Sequence, residues 1–164
     1  MKLGRNRMQQ VSDGGEGRIL VPFTAQGLSQ RALDAALRLA RAEGATVVPA
    51  FLVRVPRTLP LDSPLPAACS VGMPLQEVIE QRAHAVGVAV DARVSRGRTY
   101  RDALGRLLAQ ERFDRVVIAA GADSRHGLAE HDLGWLLAEV PAEVVILRPA
   151  FGQNAAGGVA GGPA

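Results

Sequence analysis

The residues best suited to chemistry sit in one loop, Gly121-Ala122-Asp123-Ser124-Arg125-His126-Gly127, between the apolar runs Val116 to Ala120 and Val144 to Leu147. Both runs read as fully buried strands, because short unbroken Val/Ile/Leu stretches mark a parallel strand covered on both faces. A loop leaving the carboxyl end of such a strand is where ligands sit in an open α/β sheet. A small molecule bound by this chain is therefore expected to touch residues 121 to 132. Gly121 reads equally as a turn glycine and as a point where backbone approaches a ligand, and Ser124 reads as a turn or cap residue. His126 and His131, near Asp123 and Asp132, have metal-ligand types. Without a third clustered His or Cys they read as exposed loop histidines, and no metal is expected. His84 reads as solvent-facing on a helix. Hydrolytic chemistry lacks its parts: there is no Gly-x-Ser-x-Gly elbow, and Cys69 stands in a proline-rich stretch without a partner base.

The elements that would position this loop follow from hydrophobic period and punctuation. Residues 1–17 are polar and glycine-rich and read as a disordered leader. Arg18 to Phe23 reads as a buried strand, with Pro22 tolerable only where a ladder bond is ending. Ser29 is placed to cap a helix over Gln30 to Ala42, whose Ala32, Leu33, Ala36, Leu37 and Ala40 share one face. Gly44 stops that helix. Ala45 to Val55 reads as the second strand, with Pro49 favouring a bulge or an edge there. Pro56 to Pro74 has five prolines and no period, so a long loop is expected, its role open. Leu75 to Val86 reads as a helix stopped by Gly87, and Val88 to Val94 as a third strand. Thr99 caps a helix from Tyr100 to Gln110. Residues 151–164 are Gly/Ala-rich and read as a disordered tail. The expectation is one α/β domain over residues 18–150, with a parallel five-stranded sheet and helices on both faces.

Composition narrows the partners. The chain has 164 residues, 48% of them hydrophobic but only 4% aromatic, so the core must come from Ala, Val and Leu. Stacking platforms for single-stranded nucleic acid are largely missing. The formal charge of +3 is mild and its arginines are interspersed with acids, so no nucleic-acid partner is expected. A single cysteine excludes an internal disulfide and makes the cytoplasm the default compartment. No apolar run approaches the roughly 18–20 residues that cross a bilayer, so no membrane partner is expected.

Taken in order, the pieces resemble the universal stress protein family from about Gly17 to Pro149. The residues that carry the likeness are Ile19 to Pro22 leading into Ser29 to Leu33, Gly87 to Val94 with Gly97, Phe113 to Ile118 running into Gly121, and Val140 to Pro149. The resemblance implies a sheet of order 3-2-1-4-5 with a cleft between strands 1 and 4. Family members that bind ATP carry an aspartate after the first strand and a pattern of Gly, two residues, Gly, nine residues, Gly, then Ser or Thr. Glycines let backbone N–H groups approach phosphates, and the hydroxyl sits at a helix N-terminus where the dipole favours an anion.

Here Thr24 stands where the aspartate would be, Gly121 fits the first glycine, Ser124 replaces the second, and Arg125 keeps a basic residue beside it. The far end matches in two ways. Counting nine residues from Ser124 lands on Gly134 followed by Trp135, whereas anchoring on Val140-Pro141 puts Glu130-His131 at the Gly-Ser position with the loop about four residues short. The anchored match is preferred, since a helix starting at Gly134 has less than two turns before Pro141. Either way the Gly-Ser pair is missing, and on the anchored match Glu130 and Asp132 at the helix start would repel phosphate. The resemblance thus implies a non-catalytic stress-response or regulatory domain with a degenerate ATP loop, no tightly held cofactor, and ATP bound weakly if at all. The alternatives are a nucleotide-binding member with an altered loop and a small adenine-nucleotide enzyme of the same architecture. It also implies a homodimer joined through the last strand, Val144 to Leu147, beside an unknown regulatory partner.

Overall fold

The computed structural model describes residues 17–120 and 128–148. Among these, strands and helices alternate: β1 (Arg18–Thr24), α1 (Gln30–Glu43), β2 (Thr46–Arg54), α2 (Pro66–Ala85), β3 (Arg93–Gly97), α3 (Tyr100–Gln110), β4 (Arg115–Ala119), α4 (Glu130–Glu139) and β5 (Glu143–Leu147). The strands form one parallel sheet in the order β3-β2-β1-β4-β5, the three-layer α/β class expected. One face packs α1 and α2 over Ile19, Val21, Phe23 and Phe51, whose rings stack against Phe23 at 5.3 Å. The other packs α3 and α4 over Leu20, Val48, Leu52, Val116 and Ile118. The leader assigned to residues 1–17 lies outside the described residues except for Gly17, whose carbonyl accepts from the Thr46 N–H at 2.8 Å. The tail assigned to residues 151–164 lies outside them as well.

Local signals act where the sequence puts them. Ser29 Oγ accepts the Ala32 N–H at 3.2 Å, satisfying one orphan donor of α1, and Gly44 closes the helix in the left-handed region at φ 65°. Thr99 Oγ1 accepts the Asp102 N–H while the Asp102 side chain reaches back past the cap to accept the Arg98 N–H at 2.7 Å, and the two bonds start α3.

Three expectations need correction, and prolines account for two. The long loop does not extend to Pro74, because α2 begins at Pro66. Pro66 is harmless in the first turn, where its missing N–H would be an orphan anyway. Pro74 sits inside the helix and removes the N–H that would bond the Ser70 carbonyl. Packing overrides that cost: Gly72 lies so close to Phe51 that a Cβ there would meet the ring at 2.4–2.7 Å, and Ile79 and Ala83 are fully buried.

Pro49 marks neither a bulge nor an edge, since β2 is interior and its register with the β3 chain is the same before and after it, Val47↔Val90 and Ala50↔Arg93. Val47 exchanges bonds with Ala89 and Asp91, so two residues on, Pro49 presents its missing N–H to the same neighbour. The ladder breaks there, which is why β3 runs from Arg93 to Gly97 rather than from Val88 to Val94. The third correction concerns β5: Val144 to Leu147 are half-buried, not fully buried, because the strand lies at the edge of the sheet.

At the amino ends of the strands, Arg18 pairs with Asp91 at 3.2 Å and Glu111 at 2.8 Å, and Arg93 pairs with the same two carboxylates. The Arg93 hydrogen bond is the main reason both carboxyls are held below their ordinary range, with Arg18 adding to it. A carboxyl depressed in the folded state stabilises fully above its unfolded value and loses that contribution as pH falls below about 4 through the folded value. Glu111→Gln is therefore expected to lower the urea midpoint at pH 7, by about 1 kcal/mol in stability, and the gap to the wild type should narrow as pH falls below the ordinary carboxylate range. Parallel midpoint curves for the two proteins would show that the network contributes nothing.

Candidate functional site

β1 and β4 part company above their first two paired residues. They pair only as Ile19↔Arg115 and Leu20↔Val116, while β1 continues against β2 as far as Thr24↔Leu52. Along β1 the even-numbered residues turn their backbone groups toward β4, as the Arg18 carbonyl does in accepting the Asp114 N–H at 2.9 Å. Pro22 has that orientation and no N–H to give, so the ladder ends below it, as its position in the sequence suggests. The gap is a crevice at the carboxyl ends of the strands, where the winding of the sheet reverses. It is lined by Pro22, Phe23, Thr24, Ser29, Ala32, Leu52, Ile118, Ala119 and Leu128, and holds about 10 Å³, roughly the room for one water. Among the described residues, none that lines it is charged.

Thr24 stands at the mouth of this crevice and is 2% exposed. Its Oγ1 accepts the Gln26 N–H at 3.2 Å, and its carbonyl accepts the Gly27 N–H at 3.0 Å. The turn after β1 is thus closed on itself, with Gly27 at φ 135°, a conformation that favours glycine. An aspartate here could make the same turn bond and keep a second carboxylate oxygen free, which a threonine cannot.

Of the other positions singled out by sequence, Gly121, Ser124 and Arg125 lie outside the described residues, as do Asp123 and His126. Glu130 is the first residue of α4, and Ala129 is its N-cap, without a side-chain hydrogen bond. The helix therefore starts where the anchored match puts it and not at Gly134. Its N-terminus lacks the capping hydroxyl that Ser or Thr would bring. His131 is an exposed residue of the first turn, its side chain 79% accessible, with Nε2 3.3 Å from Asp132 Oδ1. Among the described residues no group of three or more His, Cys, Asp or Glu converges. Cys69 is half-buried on α2.

Asp132 is the residue whose weight the sequence conceals. Thr24 and Asp132 are the buried polar side chains of the described chain, the latter 8% exposed, and both lie at the carboxyl end of the sheet. Asp132 sits in the first turn of α4, its N–H bonded to the Ala129 carbonyl at 2.9 Å. A carboxylate there sits against the positive end of the helix dipole. Helical spacing hints at this burial, since Asp132 lies four residues before the fully buried Leu136.

Comparison with known proteins adds the fold. No protein-family model and no curated protein matches the chain. Solved structures do. A universal stress protein family member from Burkholderia pseudomallei is 22% identical, with a TM-score of 0.56 over 82% of this chain and 96% of that one. A universal stress protein in complex with cAMP is also 22% identical, with a TM-score of 0.58 over 83% and 99%. A family protein from Arabidopsis thaliana with AMP bound is 12% identical, with a TM-score of 0.57 over 86% and 97%. The chain has the fold of the universal stress proteins.

Proposed function

We propose that this chain is a universal stress protein-like, non-catalytic domain of the cytoplasmic stress response whose ATP loop is degenerate. The observation that carries the reading is the start of α4. At the place where a phosphate-binding member needs Gly-Ser, this helix opens on Ala129-Glu130-His131 and buries Asp132 in its first turn. A fixed negative charge occupies the favourable end of the dipole and opposes a phosphate. The self-closed turn at Thr24, whose hydroxyl is committed to the Gln26 N–H, supports the same reading. So does the inventory for catalysis, since the described crevice residues offer neither a nucleophile with a base nor a pair of acids. Calorimetric titration with ATP tests it.

A second reading has a specific observation behind it. Structural neighbours hold cAMP and AMP, so a nucleotide-binding domain using an altered loop predicts measurable heat with those ligands. Turnover of bound nucleotide would instead favour an adenine-nucleotide enzyme. Compartment rests on the single cysteine and on the described helices, none of which is long and apolar enough to cross a membrane.

The functional unit in this proposal is a homodimer through β5. Val144 to Leu147 are half-buried on both faces, and β5 is the last strand of the sheet among the described residues. An apolar strand edge left open is an aggregation hazard, and a two-fold contact between two such edges satisfies both. Light scattering at micromolar concentration should give twice the chain mass of 17.2 kDa. A monomer mass would contradict the dimer.

A further inference from the structure

On the β3 side of the sheet, at the same end as the crevice, residues 56–65 join β2 to α2 with little burial: 56–60, 62 and 64 are exposed. Their own backbone bonds amount to two separate turns, Leu59 N–H to the Pro56 carbonyl and Ser63 N–H to the Pro60 carbonyl, each 3.1 Å. Two arginines of the β3 end hold the segment. Arg98 Nη1 donates to the carbonyls of Pro56 at 2.6 Å and Leu59 at 2.8 Å, with that of Val55 at 3.4 Å. Arg96 Nη1 donates to the carbonyl of Ser63, with that of Leu61 at 3.4 Å. Arg96 lies on β3 and Arg98 in the bend just after it, and their hydrogen bonds bring both side chains to the same segment.

Among the described residues, the hydrogen-bond partners of both guanidiniums are neutral carbonyls, while the nearby Asp102 carboxylate, which also feels the Arg98 charge, takes the Arg98 backbone N–H and the Arg106 side chain. Residues 54–65 and 96–102 contain five arginines and two aspartates, an excess equal to the formal +3 of the whole chain. A guanidinium binds a phosphate-type oxyanion through paired, charge-assisted bonds roughly twice as strong as those to a neutral acceptor. The excess charge would draw such an anion to this end of the sheet.

We propose that residues 56–65 form a strap latched to the sheet by Arg96 and Arg98, and that a multivalent oxyanion engaging both guanidiniums releases it. The strap then opens as a local unit while the five strands stay paired. Its opening frees the start of α2, where Leu65 packs on the core.

Limited trypsin digestion reads the opening, because the exposed Arg57 lies inside the latched turn and its peptide bond is cut only when the strap leaves that conformation. The rate of cleavage after Arg57 is measured by mass for the wild type, for the wild type with inorganic pyrophosphate, and for Arg96→Ala with Arg98→Ala. Amide exchange at Leu20 and Val48, in the central strands, is followed in parallel. The latch predicts cleavage at least about tenfold faster in the double variant, given the strength of charge-assisted bonds. Pyrophosphate should accelerate the wild type but not the variant, sodium chloride of equal ionic strength should not reproduce the effect, and the central amides should stay protected. Cleavage within twofold of the wild type in the variant would overturn the latch. A fast variant with a wild type indifferent to pyrophosphate, or equally sensitive to sodium chloride, would overturn release by an oxyanion. Central amides exchanging faster in step with cleavage would overturn local opening.

Discussion

Gly97→Ala is expected to destabilise the domain by about 3 kcal/mol, at the upper end of what overpacking a well-filled site costs. A Cβ at this position would lie 2.3 Å from the Ala103 nitrogen, 2.8 Å from its Cα and 2.9 Å from the Asp102 carbonyl carbon. All three are backbone atoms of the first turn of α3, so no side chain can rotate out of the way. The helix itself must lift off β3. Ala103, Leu104 and Leu107, all buried against the sheet, would move with it, and the Ser95 hydroxyl would lose its 2.7 Å bond to the Ala103 carbonyl. Gly134→Ala is the matched control. It lies in α4, where an added methyl meets nothing within 4 Å, so the intrinsic preference of a helix for alanine should stabilise by roughly 0.5–1 kcal/mol. Thermal or urea unfolding of the two variants should shift in opposite directions. Equal shifts would mean that the close approach of α3 to β3 has no energetic weight.

That same glycine shows what the sequence can and cannot tell. Gly97 is legible as the residue closing a strand, but the approach of a helix to its Cα is a tertiary fact. Caps were legible because their chemistry is local: Ser29, Thr99 and Gly44 each act within four residues of where they stand. Pro22 was legible for the same reason, since a missing N–H must coincide with the end of a ladder, and here it opens the crevice. Pro49 and Pro74 misled because their effect depends on what lies beside them. The break at Pro49 falls on the β3 side alone, and Pro74 is tolerated because Gly72 and Ile79 anchor α2 on the sheet. β5 misled in another way: an apolar run announces a strand but not whether a neighbour covers both of its edges. At the site, the place of Thr24 and the start of α4 could be read by alignment with flanking residues. The burial of Asp132 was only hinted at by its spacing to Leu136, since an aspartate three residues into a helix is ordinarily a solvated dipole partner. The strap was hidden because Arg96 and Arg98 look like surface charges on an edge strand, and nothing local links them to carbonyls more than 30 residues away.

The largest expected effect concerns nucleotide affinity. The family resemblance implies that an ATP-binding member gains charge-assisted contacts to phosphate at its Gly-Ser turn. Loss of two or three such contacts, at about 1.5–3 kcal/mol each, weakens binding by several decades. In this chain Thr24 has turned its oxygen to its own loop, Ala129 caps α4 without a hydroxyl, and Asp132 holds the dipole. Replacing Glu130 with glycine and His131 with serine should recover little on its own, because the loop would remain about four residues short and the dipole contributes only about 0.3–1 kcal/mol. Four glycine-rich residues inserted after Gly127 in that background should give the larger gain, since lengthening a loop costs little closure entropy. Tight binding by the double substitution alone would make loop length irrelevant. Failure of both changes would point to Thr24 as the main cause.

The most direct test is isothermal calorimetry of the unaltered protein with ATP at millimolar concentration, with AMP and cAMP run alongside. A degenerate site predicts little or no heat with any of the three, whereas a micromolar dissociation constant for ATP would contradict it.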